Sequence, residues 1–191
     1  MTPPVVGVLA LQGGFAAHAR VLRELGAEVR EVRTPADLDG LDGLVIPGGE
    51  STTMSLGIAR EALAEPLREL ASSGVPVFGT CAGMIMLDRE HLGIADWSCR
   101  RNAFGRQVHS FEEDLDIPGV GGDPVRAVFI RAPWIDVHGD DVEVLAAVDG
   151  HPVAVRQGNL LAISFHPEIA GEVRLHRLFL DAVRARRPAA A

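Results

Sequence analysis

Gly79-Thr80-Cys81-Ala82-Gly83 is the stretch that decides the fold, because it places a cysteine in a glycine-flanked turn between two apolar segments. The segment before it, residues 75–78, is short and apolar and predicts a buried strand, while residues 84–87 after it can open a helix. A G-x-nucleophile-x-G turn from strand to helix forces its central residue into a tight, exposed backbone position. We therefore predict a nucleophile elbow centred on Cys81.

A cysteine at such a turn is equipped for nucleophilic chemistry. The N-terminus of the following helix favours the thiolate over the thiol. The same turn directs backbone N–H groups at an oxyanion that forms on the attacked carbonyl. The turn alone fits about equally well a small buried cysteine without a chemical role, so the decision depends on the rest of the chain.

The composition is that of a globular domain with an acidic balance. The chain has 191 residues, of which 47% are hydrophobic and 23% are charged, and its formal net charge is −8. This length predicts one domain over residues 1–191. The acidic excess argues against a nucleic acid partner, which requires a basic face.

Cysteine content favours a reducing compartment, and hydropathy argues against a membrane segment. Cys81 and Cys99 form no C-x-x-C pair and no repeated spacing, so we expect neither a disulfide scaffold nor a zinc site. No apolar run approaches the length of a membrane span, and the first residues lack the basic start and cleavage site of a signal peptide. We therefore expect a cytoplasmic protein with no membrane contact, no metal and no other cofactor.

The first half of the chain alternates strands with helices. The runs at 5–11, 28–32 and 43–46 predict strands, the first of them fully buried because its apolar residues are continuous. Helical patterns follow the first and the third strand. This alternation predicts an α/β fold, with a parallel sheet covered by helices on both faces.

The second half predicts strands without intervening helices. Strand-like segments lie at 126–130, 142–148, 153–156 and 160–163, and Asp149-Gly150 and Gln157-Gly158-Asn159 are typical of hairpin turns. We expect antiparallel strands that are added to the same sheet or packed beside it. A last helix is predicted near residues 172–186.

Phe165-His166-Pro167-Glu168 carries the best candidate for the base that a cysteine nucleophile needs. It follows an apolar strand, and the carboxyl ends of strands are where an α/β sheet delivers catalytic residues. With proline between them, His166 and Glu168 can lie side by side, so that Glu168 fixes the imidazole tautomer and stabilises the imidazolium. The remaining histidines lack this context and are expected to be solvated or structurally satisfied: His18, His91, His109, His138, His151 and His176.

Pro47-Gly48-Gly49-Glu50-Ser51-Thr52 follows the third predicted strand and opens a helix, with Ser51 or Thr52 as the candidate cap. Its two glycines would let backbone N–H groups approach a substrate and complete an oxyanion hole. A plain strand-to-helix turn is the simpler interpretation, and Gln12-Gly13-Gly14 leaves the same two possibilities open. The spacing and the lysine of a phosphate-binding loop are missing.

Two further segments place arginines in a loop and at a strand end, at residues 100–106 and 129–133. Arginine can hold a carboxylate through paired hydrogen bonds, although most surface arginines only solvate a protein. The residues alone leave both interpretations open.

Six segments together resemble a family of glutaminases. They are LALQG (9–13), PGGESTTM (47–54), FGTCAG (78–83), RNAFGRQ (101–107), FIRAP (129–133) and SFHPE (164–168). The elbow and the His-Pro-Glu segment resemble class I glutamine amidotransferases in general. RNAFGRQ and FIRAP are similar, more specifically, to the glutaminase subunits of pyridoxal 5′-phosphate synthase, and the resemblance runs from Val5 to Phe179.

This resemblance implies a three-layer, flavodoxin-like fold and the hydrolysis of L-glutamine to L-glutamate and ammonia. It implies that Cys81 attacks the side-chain amide and forms a thioester, that His166 transfers protons and that Glu168 orients His166. The ammonia would pass to a separate synthase (lyase) subunit. The implied oxyanion donors are the amides of Gly49 and Ala82, and the implied glutamine contacts are Gly49, Glu50, Ser51, Arg101, Ile130 and Arg131.

Two alternatives remain at this stage. A glutaminase that serves another synthase, or a γ-glutamyl hydrolase, would keep the chemistry and change the pathway. A non-catalytic regulatory subunit would keep the fold but requires a broken triad, and the residues of the triad are all present in this sequence.

Overall fold

The structure, a computed structural model, describes residues 2–104 and 110–187. The strands in chain order are β1 (Val5–Leu9), β2 (Glu28–Val32), β3 (Gly43–Ile46), β4 (Val77–Thr80), β5 (Trp97–Arg100), β6 (Ser110–Leu115), β7 (Val125–Ile130), β8 (Trp134–His138), β9 (Glu143–Val148), β10 (His151–Gln157) and β11 (Leu160–Ile163). The α-helices are α1 (Phe15–Glu24), α2 (Ser51–Arg60), α3 (Ala64–Ser72), α4 (Ala82–Leu87), α5 (Pro167–Ala170) and α6 (Arg174–Arg186), and Pro35–Leu38 forms a 3₁₀ helix.

A seven-stranded sheet in the order β2-β1-β3-β4-β11-β10-β9 forms the centre of the molecule. The five strands from β2 to β11 run parallel, and β10 and β9 continue the sheet in antiparallel pairing. The parallel part comes from the β-α-β-α half of the sequence, because parallel neighbours require a crossover connection. The antiparallel part comes from the predicted hairpins at 149–150 and 157–159.

Helices cover both faces of this sheet, as the sequence predicts. Successive side chains of a strand point to opposite faces, and β3 shows this directly. Leu44 and Ile46 lie in an apolar core with residues of α2, α3 and α4. Val45 lies in a second core with residues of α1 and α6. The predicted fold class, a mainly parallel α/β sheet with added antiparallel strands, is confirmed.

Two small antiparallel pairs, β5 with β8 and β6 with β7, lie beside the main sheet. The sequence predicts β7 but neither β5, β6 nor β8. β6 reads Ser-Phe-Glu-Glu-Asp-Leu and is mostly exposed, so it lacks the apolar run by which the other strands are found. No helix in the described part of the chain is both long and apolar enough to cross a membrane.

Candidate active site

Cys81 lies in the turn from β4 to α4 with φ of 49° and ψ of −108°. A non-glycine residue rarely adopts a positive φ, and such strain is found at functional sites. The motif glycines are required here by close packing, since a Cβ on Gly83 would collide with the Ile46 carbonyl oxygen and a Cβ on Gly79 would lie 2.8 Å from the Gly83 oxygen. The backbone geometry is that of a nucleophile elbow.

The three residues of the predicted triad emerge at the same edge of the sheet. β11 pairs in parallel with β4, with Ile163 opposite Thr80, so the chain leaves both strands side by side. His166 follows β11 and occupies the N-cap position of α5, and its Nδ1 lies 2.8 Å from Glu168 Oε1. The arrangement suits a base that is oriented by a buried carboxylate.

Cys81 and His166 face each other across the Gly48 turn. A Cβ on Gly48 would lie 2.6 Å from His166 Cε1 and 3.2 Å from Cys81 Cβ. The space between nucleophile and base therefore admits only glycine at this position. We expect Gly48→Ala to lower kcat for glutamine hydrolysis by at least tenfold, because the methyl group separates the two groups. The measurement is steady-state glutamate release, with circular dichroism to confirm that the variant is folded.

The electrostatics of the site favour a charged imidazole. Burial disfavours the charge on His166, but its neighbours Cys81 and Glu168 prevail and raise the pKa of His166 to about 10. Burial likewise opposes the charge on Glu168, yet the hydrogen bond from His166 lowers the pKa of Glu168 below its usual value. A carboxylate that stays ionised therefore supports a charged imidazole next to the candidate nucleophile.

A cavity of about 370 Å³ opens beside Cys81. This volume lies within the range that suits a small ligand. Its walls bring together the residues predicted to bind substrate and the two predicted oxyanion donors. The lining residues are Gln12, Gly49, Glu50, Ser51, Cys81, Ala82, Ile85, Arg101, Asn102, Ile130, Arg131, Pro133 and His166.

Glu50, rather than Ser51 or Thr52, caps α2, and this corrects the prediction for that helix. The Glu50 carboxylate accepts hydrogen bonds from the backbone N–H groups of Thr52 (3.1 Å) and Thr53 (2.7 Å). These bonds lower the pKa of Glu50 to about 2. Arg101 Nη2 lies 3.1 Å from Glu50 Oε1, so the cap also holds a guanidinium at the mouth of the cavity.

Two glycine turns meet beside the cysteine. The Gly14 N–H donates to the Gly48 carbonyl oxygen at 3.0 Å. Gln12 Oε1 accepts from the Glu50 N–H at 2.7 Å. The Gln12–Gly14 turn therefore holds the turn that carries Gly49, the predicted oxyanion donor.

The second predicted donor, the Ala82 amide, is at the first position of α4, where a helix leaves its N–H groups without intrahelical partners. Arg101 is half-exposed, and Ile130 and Arg131 are exposed at the cavity. Gly105, Arg106 and Gln107 of the RNAFGRQ segment lie outside the described residues, as does His109.

Two histidines that the sequence gives no role lie directly behind the triad. His18 and His176 are fully buried, and His18 Nε2 is 3.5 Å from Glu168 Oε2. The remaining described histidines lie elsewhere: His91 contacts Asp88, His138 contacts the Gly139 carbonyl oxygen, and His151 stacks on Trp134. Within the described residues, no group of three or more His, Cys, Asp or Glu is arranged to hold a metal ion.

Solved structures with the same architecture define the class. A crystal structure of a glutamine amidotransferase superposes with a TM-score of 0.87 at 46% identity, over 94% of this chain and 98% of its own. PurLQS from Thermotoga maritima superposes with a TM-score of 0.73 at 19% identity, over 95% of this chain and 99% of that one, which shows a shared fold. The fold and the elbow are those of the class I glutamine amidotransferases.

Sequence comparison gives the family within that class. The chain belongs to the SNO glutamine amidotransferase family, whose profile matches residues 8–185. A protein of Mycobacteroides abscessus named pyridoxal 5′-phosphate synthase subunit PdxT is 56% identical over 191 residues, covering 95% of this chain and 98% of that protein. The protein of the same name from Streptomyces avermitilis is 55% identical over 196 residues and 98% of both chains. The resemblance read from the six motifs is confirmed.

Proposed function

We propose that this chain is the glutaminase subunit of a pyridoxal 5′-phosphate synthase, and that it hydrolyses L-glutamine to L-glutamate and ammonia for a synthase subunit. The observation that carries the proposal is the strained Cys81 elbow with the His166–Glu168 pair beside it at one sheet edge. Near full-length relatives that bear the PdxT name support the choice of pathway. The free thiol of Cys81 suits the reducing cytoplasm that we expect for this enzyme.

The first half of the reaction forms a thioester. The Cys81 thiolate attacks the side-chain amide carbon of glutamine, and the carbonyl oxygen becomes an oxyanion. The N–H groups of Gly49 and Ala82 stabilise this oxyanion. The carbon–nitrogen bond then breaks as the imidazolium of His166 donates its proton, and ammonia leaves.

The second half regenerates the enzyme. His166, now neutral and held by Glu168, takes a proton from water, and the hydroxide attacks the thioester carbon. The carbon–sulfur bond breaks, glutamate leaves and Cys81 returns to the thiolate paired with the His166 imidazolium. The raised pKa of His166 keeps a proton on the imidazole at neutral pH between cycles.

We assign the binding of glutamine to residues that line the cavity. Arg101 is held at the mouth by Glu50, and Arg131 is exposed at the end of β7 with φ of 44°. Guanidinium groups there are placed to bind the α-carboxylate of the substrate. Ser51, Ile130 and the Gly49 backbone complete the proposed contacts around its side chain.

The decisive experiment measures glutamate release and pyridoxal 5′-phosphate formation with the purified synthase subunit. We expect glutamine to replace ammonium as the nitrogen source only when this chain is present. Stimulation by a different synthase instead would place the chain in another amidotransferase. Rapid hydrolysis of γ-glutamyl peptides without any synthase would make it a γ-glutamyl hydrolase.

Loss of the base is expected to cost nearly as much as loss of the nucleophile. Members of a triad act as a unit, so His166→Asn should lower kcat by about 10⁴-fold. Glu168→Gln should cost less, because it removes the orienting charge but leaves the imidazole. Steady-state kinetics check both, and labelling of Cys81 by a thiol reagent with the wild-type rate and pH profile in His166→Asn would contradict the assignment.

Arg101→Ala and Arg131→Ala are expected to act on substrate binding. Each should raise KM for glutamine by about tenfold, since a charge-assisted hydrogen bond contributes about 1.5–3 kcal/mol. The melting temperature should stay near that of the wild type, because both side chains are at the surface. Arg126→Ala, which breaks only the exposed pairs with Glu112 and Asp114, serves as the matched control. An arginine is structural if its variant unfolds while its folded fraction keeps the wild-type KM.

A further inference from the structure

Two buried histidines extend the contacts of the triad into the core. His18 on α1 and His176 on α6 are fully buried, and His18 Nδ1 lies 2.8 Å from His176 Nε2. The second ring nitrogen of His18, Nε2, lies 3.5 Å from Glu168 Oε2 and 3.1 Å from Thr80 Oγ1. His18 thus contacts both the triad carboxylate and the residue that precedes Cys81.

The Glu168 carboxylate requires support on this side. Its Oε1 faces His166, whereas its buried Oε2 accepts no hydrogen bond of ordinary geometry within the described residues. A buried carboxylate oxygen without a donor costs free energy. His18 Nε2 faces this oxygen at 3.5 Å, and it also lies within hydrogen-bond distance of Thr80 Oγ1 at 3.1 Å.

We propose that His18, held in place by His176, is a positioning residue that keeps Glu168 ionised and aligned against His166. The inference rests on the proposed function, because the role of Glu168 is to orient the base of a cysteine nucleophile. The chain of contacts runs from Cys81 through His166 and Glu168 to the two buried imidazoles.

Burial favours the neutral form of both imidazoles. Burial lowers the pKa of His18, although the charge of Glu168 opposes this, and burial lowers the pKa of His176 to about 3. A neutral N–H donor can support the carboxylate without competing with His166 for its charge. A cationic His18 would repel the imidazolium on which the thiolate depends.

The other charged groups that face the pair are themselves paired. Glu168 of α5 and His166, directly before α5, both face His18, and they are hydrogen-bonded to each other. Glu172 faces His176 from the turn before α6, and it is held by Arg174, whose Nε lies 2.9 Å from Glu172 Oε1. Because these charges are already paired, burial remains the main effect on the pKa of both imidazoles.

Support of Glu168 by a proton on His18 Nε2 requires one particular arrangement of protons in the pair. A proton on His18 Nε2 leaves Nδ1 bare, so His176 must donate to it from Nε2. His176 Nδ1 is then a bare lone pair, and that atom is buried with no hydrogen-bond partner among the described residues. A buried lone pair without a partner is tolerated more readily than a buried N–H without one.

The test compares His18→Leu with His18→Gln, which restores an N–H donor, and with Leu22→Ala, a core deletion on the same helix. The readouts are the pH profile of Cys81 alkylation by iodoacetamide, followed by mass spectrometry at Cys81, and kcat and KM for glutamine. In His18→Leu we expect the alkylation profile to move up by about one pH unit, because a Glu168 carboxylate that is no longer held in line with His166 stabilises the imidazolium beside Cys81 less. We expect kcat to fall about tenfold with KM nearly unchanged.

His18→Gln should recover most of the pH shift, and Leu22→Ala should lower the melting temperature without moving the profile. A His18→Leu profile that matches the wild type, or an equal shift in Leu22→Ala, would overturn the proposal. Failure of the proposed function has a different signature. In that case wild-type Cys81 would alkylate no faster than free cysteine at any pH, and the ion pair that His18 is meant to support would not exist.

A measurement on the wild type keeps the proposal open to refutation if His18→Leu does not fold. The ¹⁵N chemical shifts of the imidazole rings report both charge and tautomer. We expect both rings to titrate below the ordinary range of histidine, with the proton of the neutral ring on Nε2. A proton on Nδ1 of neutral His18, or a pKa of His18 at or above the ordinary value, would contradict the role assigned to it.

Discussion

Cys81→Ala should abolish glutamine hydrolysis, with a loss of at least about 10⁴-fold in kcat, because no thioester can form without the sulfur. The elbow exists to present this one side chain: it holds a non-glycine residue at φ of 49° and requires glycines at 79 and 83. Alanine fits the same backbone, so the variant should fold with a melting temperature close to that of the wild type. Ammonia release, measured with a coupled dehydrogenase assay, checks the prediction.

Cys99→Ala is the matched control, since Cys99 is the second cysteine of the chain. Burial and the neighbouring Asp88 carboxylate raise the pKa of Cys99, so its thiol stays protonated and unreactive. This variant should keep most of the activity. A Cys81→Ala enzyme that releases ammonia at the wild-type rate would refute the mechanism, and equal losses in the two variants would remove the distinction between nucleophile and core residue.

The elbow is predictable from the sequence because it depends on local signals. Residues 75–87 combine an apolar strand, a glycine-flanked cysteine and an apolar helix, which is the pattern of a nucleophile elbow. The His166–Glu168 pair is predictable for the same reason: the two residues are two positions apart, with proline between them.

Contacts between distant segments are not predictable in this way. His18 meets Glu168 only because α1 and α5 pack on the same side of the sheet, 150 positions apart along the chain. Its helix shows an ordinary apolar stripe, and a buried polar residue in such a stripe leaves no periodic signal. The sequence predicts Ser51 or Thr52 as the cap of α2, because short hydroxyl side chains are among the usual caps. The longer Glu50 carboxylate reaches both N–H groups instead.

The mostly exposed strand β6 is not predictable from its own sequence for a related reason. β6 is acidic, and its charges are compensated across the ladder by Arg126 of β7, which contacts Glu112 and Asp114. Cross-strand pairs of this kind stabilise a sheet, but they appear in the sequence only as unrelated charges. Whether such a segment forms a strand therefore depends on its partner strand rather than on its own sequence.

The largest remaining effect is expected from the synthase partner: kcat for glutamine hydrolysis should rise about 10²- to 10³-fold when the partner is added. One oxyanion-hole donor is worth that much, about 3–4 kcal/mol. The Gly49 N–H belongs to a peptide unit between two glycines, so it can point toward or away from the oxyanion with little steric cost. A free-standing enzyme that hydrolysed glutamine would release ammonia with no acceptor.

The contacts around this peptide indicate how a partner could control it. The Gly48 carbonyl oxygen accepts from the Gly14 N–H, and because a trans peptide points its C=O and N–H in opposite directions, this bond fixes the direction of the Gly49 N–H. The Gln12 side chain holds the next N–H, that of Glu50. A surface that docks on the Gln12–Gly14 turn therefore acts directly on the predicted oxyanion donor.

Measuring kcat with and without a saturating amount of synthase subunit tests this coupling, with an unrelated protein at the same concentration as the control. A rise in kcat with little change in KM would place the effect in the transition state, as a completed oxyanion hole requires. Equal and high values in both conditions would mean that the hole is formed in the isolated chain. The protein would then behave as a free-standing hydrolase, and the γ-glutamyl hydrolase alternative would become the better description of its chemistry.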